Sequence, residues 1–185
     1  MIKDLEAAIG YRFKNITLLQ NALTHSSYAN ERWHDGLMSN ERLEFLGDSV
    51  LGMLVAEYLY HNFPNRPEGE LTRMRADMVC EQTLAAVAQQ IGLGQHLLLG
   101  HGEEQGGGRS RASILADAVE SVIAACFLDG GLEALEELNR DMVVRSGENA
   151  NVRKDLDTCN AFLKKLLEDG TLQALADKYA LTLVK

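Results

Sequence analysis

From Asn40 the chain reads Asn40-Glu41-Arg42-Leu43-Glu44-Phe45-Leu46-Gly47-Asp48-Ser49-Val50-Leu51, and the apolar pattern it opens continues to about Phe63. Read as a helix, this stretch sets Glu41, Glu44 and Asp48 at i, i+3 and i+7, on one face. Most other positions are apolar: Leu43, Phe45, Leu46, Val50, Leu51, Met53, Leu54, Val55 and Ala56. A helix that apolar belongs in the middle of a domain. An acidic stripe there is costly unless something positive neutralises it. The rest of the chain has to supply that positive charge or hold an ion that does.

A second segment poses the same problem. Residues 112–128 are apolar nearly all round, and apart from small residues the exceptions are Asp117 and Glu120. Asp129-Gly130-Gly131 is expected to close this helix, with an amphipathic one following over residues 132–144. Five carboxylates on two buried-type helices would repel one another and raise their pKa values. A hard divalent cation resolves the conflict. Mg²⁺ takes oxygen ligands and keeps several waters, and it can activate a water and stabilise charge on a phosphodiester. The bland alternative pairs each acid with an arginine such as Arg42, Arg73 or Arg75. No His or Cys has the spacing for a softer metal.

The surrounding elements also read as helices, so the expected fold class is all-α. Residues 2–10 give a short helix ending at Gly10, and Asn15 caps a second. Residues 24–39 are polar and read as a loop with room for a helical turn. Pro64 and Pro67 make a turn after the central helix. One long helix is expected from Glu68 to Ile91, ending at Gly92. Residues 102–111, with Gly106-Gly107-Gly108, are expected to be the most flexible part of the chain. Arg109 and Arg111 there are candidates for a phosphate contact, against a plain mobile connector. His25 fits a cap or core edge better than a substrate contact. Tyr11 and Phe13 fit local packing, and Trp33 is open between covering the core and touching a substrate.

The net charge of −9 argues against a simple basic coat for nucleic acid. It leaves room for a metal-loaded acidic site that meets phosphates locally. Cys80, Cys126 and Cys159 form neither a zinc pattern nor a disulfide framework, and read as reduced thiols of a cytoplasmic protein. Met1-Ile2-Lys3-Asp4 leads straight into an amphipathic pattern, so no signal peptide is expected. No apolar run is suited to spanning a membrane.

The central stretch resembles the signature of the ribonuclease III family. The resemblance continues through Pro67-Glu68-Gly69-Glu70-Leu71-Thr72-Arg73-Met74-Arg75-Ala76, Gly107-Gly108-Arg109 and Ser113-Ile114-Leu115-Ala116-Asp117-Ala118-Val119-Glu120. Gly10-Tyr11-Arg12-Phe13 and Ala22-Leu23-Thr24-His25-Ser26-Ser27-Tyr28 also fit, so it covers roughly residues 1–145 in order. It implies an all-helical, Mg²⁺-dependent endonuclease for double-stranded RNA, with Mn²⁺ able to substitute, working as a homodimer. Its products would carry 5′-phosphate and 3′-hydroxyl ends with short 3′ overhangs, and ribosomal or messenger RNA precursors would be its substrates. By position, Glu44, Asp117 and Glu120 match metal ligands, and Asp48 and Glu120 the catalytic residues. Glu41 and Glu68 match accessory acids near the RNA. Phe45 matches an aromatic that inserts into the partner subunit, where the residue alone would read as core. A-form RNA is met through shape, 2′-OH and phosphate contacts.

Ser146-Gly147-Glu148-Asn149-Ala150-Asn151 reads as a domain boundary, giving a catalytic domain over residues 1–146 and a linker with a helical tail over 147–185. The tail does not match the double-stranded-RNA-binding domain that usually follows in bacterial members. That departure predicts weaker, salt-dependent binding. Residues 162–179 loosely resemble terminal helices of periplasmic amino-acid-binding proteins, over too short a stretch to imply transport. Two further readings stand beside the nuclease: a non-catalytic RNA-binding module on the same fold, and a helical dimerisation protein whose acids pair with arginines.

Overall fold

The computed structural model describes residues 2–145, and among these every regular element is a helix. The α-helices are α1 (Ile2–Ile9), α2 (Ile16–Ala22), α3 (Ser26–Glu31), α4 (Glu41–Asn62), α5 (Glu68–Met78), α6 (Glu81–Gln90), α7 (His101–Gln105) and α8 (Ala112–Arg145). Short 3₁₀ turns lie at Trp33–Asp35, Leu93–His96 and Gly108–Ser110. The tail expected over 147–185 and the boundary at 146–151 lie outside the described residues. No helix among the described residues is long and apolar enough to cross a membrane.

The helix at the centre is α8. From Ile114 to Cys126 every residue is buried except Asp117 and Glu120, which are half-buried. Helices α4, α6, α2 and α1 pack around it. Burying side chains such as Leu115, Val122 and Ile123 contributes roughly 1.5–3 kcal/mol each. Helix α4 is less central than its composition suggests. It lays Leu43, Val50, Leu54 and Tyr58 on the core, but Phe45, Met53 and Tyr60 face outward, with Phe45 78% exposed. Its apolar excess serves two faces, only one of which is covered by the described residues.

Two sequence expectations are corrected. The single helix over residues 68–91 is two helices, because Cys80 is extended (φ −72°, ψ 155°) and starts α6 afresh. The Cys80 thiol and the Thr83 hydroxyl both donate to the Asp77 carbonyl that the break leaves open, at 3.3 and 3.0 Å. Secondly, residues 102–111 are a tied structure. The Arg109 guanidinium donates to the Gly94 and Leu97 carbonyls, both at 2.9 Å, and grips Glu104 with two bonds of 2.6 Å. Arg111 pairs with Glu103 at 2.6 Å. Gly107 supplies the left-handed turn (φ 74°) between α7 and the following 3₁₀ turn.

Other expectations hold. Asn15 caps α2 by accepting from Thr17 N at 3.2 Å. Within residues 24–39 the chain forms α3 and one 3₁₀ turn, and His25 caps α3 through Nδ1. Tyr11 and Phe13 are buried, and the Tyr11 hydroxyl donates to Asp129 at 2.8 Å. Trp33 does not cover the core: it is 69% exposed and lies against His34. Gly131 interrupts the course of α8 (φ 70°, ψ −160°), next to the break expected from Asp129-Gly130-Gly131.

Candidate metal centre

Helices α4 and α8 cross where Gly47 meets Glu120. A Cβ on Gly47 would stand 1.9 Å from the Glu120 carbonyl oxygen, so only a glycine permits this approach. Glu44 and Asp48 lie on α4 to either side of Gly47, and Asp117 and Glu120 lie one turn apart on α8. The close crossing therefore faces one acidic pair with the other. Carboxylate oxygens of Glu44, Asp117 and Glu120 all lie within 4.8 Å of one another. All three residues are half-buried, while Asp48 is exposed.

The electrostatics are those of negative charges crowded together, with only His25 nearby to offset them at Asp117. Burial, then the neighbouring charges of Asp48, Asp117 and Glu44, push the Glu120 carboxyl up to about 7. Burial, followed by Asp117, Glu41 and Asp48, raises Glu44. Asp117 is raised by burial, an effect that nearby His25 reduces and Glu81 adds to. The ion pairs among the described residues are Arg66–Glu70, Arg109–Glu104 and Arg111–Glu103, and none reaches this cluster. The arginine-paired alternative for these acids is thereby set aside. Three oxygen donors, with no nitrogen or sulfur among them, suit a hard divalent cation.

The remaining site candidates sit apart from the three-carboxylate group. Glu41 opens α4, exposed, and accepts from Ser39 Oγ at 2.8 Å. Glu68 opens α5, exposed, and accepts from Thr72 Oγ1 at 2.7 Å. Phe45 points away from the core. Arg109 and Arg111 are committed to the carbonyls and carboxylates around α7, so their guanidinium groups hold the loop together. Sequence reasoning did not single out Gly47, although a glycine between two acidic positions of an apolar helix is the signal for such a crossing. It also missed Glu81, on the first turn of α6, whose charge reaches Asp117.

Comparison with known proteins agrees with this arrangement. A family model described as Ribonuclease-III-like matches residues 15–146. A ribonuclease 3 from Geobacter metallireducens is 56% identical over 136 residues, covering 73% of this chain and 55% of that protein. A ribonuclease 3 from Caldanaerobacter subterraneus is 54% identical over 142 residues, covering 77% and 62%. The chain thus spans little more than half the length of these relatives. Among solved structures, the nuclease domain of ribonuclease III from Campylobacter jejuni superimposes with a TM-score of 0.71 at 40% identity, covering 78% of this chain and 98% of that one. That structure is described as flexible in a region involved in dimer formation. The matched residues include both acidic helices and the glycine that lets them cross, and on this ground the chain belongs to the ribonuclease III family.

Proposed function

We propose that this chain is a Mg²⁺-dependent endonuclease for double-stranded RNA. The observation that carries the reading is the convergence of Glu44, Asp117 and Glu120 at a crossing that none of the ion pairs among the described residues reaches. These three would hold the cation, Mg²⁺ or in its place Mn²⁺. Such an ion supplies charge neutralisation and a more acidic water to phosphodiester hydrolysis. The residues do the placing. Gly47 sets the distance between the two acidic turns. Asp48, exposed beside Glu120, is aimed to the solvent side, where an RNA strand would arrive. Without a cation the Glu120 carboxyl is pushed up to about 7, and a bound cation would favour its charged form; Asp48 and Glu120 are the catalytic pair in this reading. Glu41 and Glu68 would meet the RNA further out.

Cutting both strands of a duplex calls for two such centres related by a twofold axis. The face of α4 that the described residues leave uncovered supports a homodimer. Phe45, Ser49, Gly52, Met53, Ala56 and Tyr60 share one side of the helix by their spacing, and space is open beside Gly52. Phe45 and Tyr60, 78% and 70% exposed, are large apolar groups for a second copy to bury. The products would be 5′-phosphate and 3′-hydroxyl ends with short 3′ overhangs, from ribosomal or messenger RNA precursors. We take residues 1–146 as the catalytic domain and 147–185 as a linker and helical tail. Unpaired Cys80 and Cys126 suit a reducing, cytoplasmic setting.

The test is a cleavage assay on a plain RNA duplex at low salt, with and without Mg²⁺. The full chain should cut only with the metal. Glu120→Gln should abolish cleavage while leaving folding and dimerisation intact. Absence of cleavage by the unaltered chain in Mg²⁺ would sink the reading.

A further inference from the structure

Among the described residues, the buried polar side chains are Thr24, Asn40 and Ser121, and all three stand together behind the metal centre. Asn40 N donates to the Thr24 carbonyl at 2.8 Å. The Asn40 carbonyl accepts from Glu44 N at 2.9 Å, closing the first turn of α4. The Ser121 hydroxyl, with no exposure at all, lies 2.7 Å from the Asp117 carbonyl oxygen and 3.3 Å from that of Asn40. The shorter contact lies within α8, and the longer one crosses to the start of α4. A single hydroxyl thus touches both the turn of α8 that carries Asp117 and Glu120 and the start of the turn of α4 that carries Glu44.

We propose that Ser121 is a positioning residue, whose hydroxyl keeps the first turn of α4 in register with α8 so that Glu44 meets Asp117 and Glu120 as a ready-made ligand set for a divalent cation. The proposal rests on the metal reading above and deepens it. The contact at Gly47 limits how close the helices come, but van der Waals contact alone leaves them free to slide and turn. A hydrogen bond is directional and restrains both motions. The restraint matters here because the three carboxylates repel one another. Before a cation arrives, any slack at the crossing lets Glu44 swing away from Asp117 and Glu120, and the ion must then reorder the site as it binds.

The geometry also makes the substitution clean. Removing the hydroxyl orphans neither acceptor, because the Asn40 carbonyl keeps Glu44 N and the Asp117 carbonyl lies inside a continuous helix. Alanine is also the better helix former. Ser121→Ala should therefore fold as well as the unaltered chain and lose only the tie between α4 and α8.

The experiment titrates Mn²⁺ into the full chain and follows free Mn²⁺ by electron paramagnetic resonance, with metal-free melting recorded in parallel. Four proteins are compared: the unaltered chain, Ser121→Ala, Glu120→Gln as a site control, and Ile9→Val as a core control on α1, which carries no site residue. The expected result is Mn²⁺ binding roughly tenfold weaker in Ser121→Ala with an unchanged metal-free melting temperature. Ile9→Val should melt a few degrees lower and bind Mn²⁺ like the unaltered chain. Equal Mn²⁺ affinity in Ser121→Ala and the unaltered chain overturns the proposal. So does a parallel loss of affinity in Ile9→Val, or a fall in the melting of Ser121→Ala to that of Ile9→Val, because either marks general loosening. If Glu120→Gln and the unaltered chain bind equally weakly, the metal reading itself fails and takes the proposal with it.

Discussion

Two groups of carboxylates in this protein have met opposite fates. Glu103 and Glu104, on α7, each face an arginine at 2.6 Å. The hydrogen bond from Arg109 outweighs a small burial effect and holds Glu104 below its ordinary pKa. Glu44, Asp117 and Glu120 face one another with no arginine among them, and all three are raised. The side chains are of one chemical type, and local count and spacing do not tell the groups apart. The difference is in what the backbone brings opposite. The loop at Gly106–Gly108 folds back far enough to deliver Arg109 to Glu104, whereas Gly47 lets two acidic helices close on each other. An acidic cluster is a site when the fold has gone out of its way to withhold its counter-charge.

The largest effect that should follow is at Glu120. On the proposed reading Glu120→Gln removes a metal ligand and should lower duplex cleavage by about 10³-fold or more, read as the initial rate at saturating Mg²⁺. The same substitution should have the reverse effect on metal-free stability. A carboxyl raised in the folded state contributes most to stability below its unfolded pKa, and that contribution is lost as pH rises through the folded value. The metal-free protein should therefore lose stability from about pH 4.5 to about pH 7 and level off above it. Glu120→Gln should flatten that decline and melt higher than the unaltered chain at pH 8. Thermal melts across this range with a chelator present would break the comparison if Glu120→Gln melted lower at pH 8.

Next in size is Gly47→Ala. The obstacle to the new methyl is the Glu120 backbone, which no rotamer change can move aside. The helices must part, at roughly 3 kcal/mol. A displacement on the scale of 1 Å at the ligand set should cost about 10²-fold in cleavage rate. Denaturant melts and rate measurements on one preparation separate the two losses. A rate that stayed normal would mean the crossing distance is not what assembles the site.

Arg109→Ala sharpens the other half of the comparison. Losing this guanidinium leaves the Gly94 and Leu97 carbonyls short of a partner, and should cost about 2 kcal/mol with little change in KM for duplex RNA. A raised KM with normal stability would instead restore the phosphate contact that the glycine-rich sequence around Arg109 suggested.

The parts of this arrangement that were legible in sequence are those with a short period. The acidic stripes at 41/44/48 and 117/120 follow from helical spacing, and the caps at Asn15 and His25 from local chemistry. The break at Cys80 was not legible, because Cys80 and Leu84 are four apart and carry the apolar spacing across it. The Arg109 clip was not, because its acceptors are carbonyls 12 and 15 residues upstream, and a backbone carbonyl leaves no mark in a sequence. The same holds for Ser121, whose partners are also carbonyls, one of them 81 residues away. Glycine-rich composition at 106–108 pointed to mobility when its use is tight turning and close approach.

The smallest effect should come from Glu104→Gln, and its value lies in its sign. Glu104 is largely solvated, so its pair with Arg109 is screened and contributes little. Its carboxyl is lowered in the folded state, so its contribution is present above the unfolded pKa and is lost as pH falls through the folded one. Glu104→Gln should therefore melt slightly below the unaltered chain at pH 8, with the gap closing in acid and also in high salt. Glu120→Gln should lie above the unaltered chain at the same pH and likewise converge with it in acid. Two isosteric substitutions of one residue type would then bracket the unaltered protein from opposite sides at pH 8. Cleavage should be normal in Glu104→Gln and absent in Glu120→Gln. If both shifts had the same sign, the contrast between a paired and an unpaired acidic cluster would lose its physical basis.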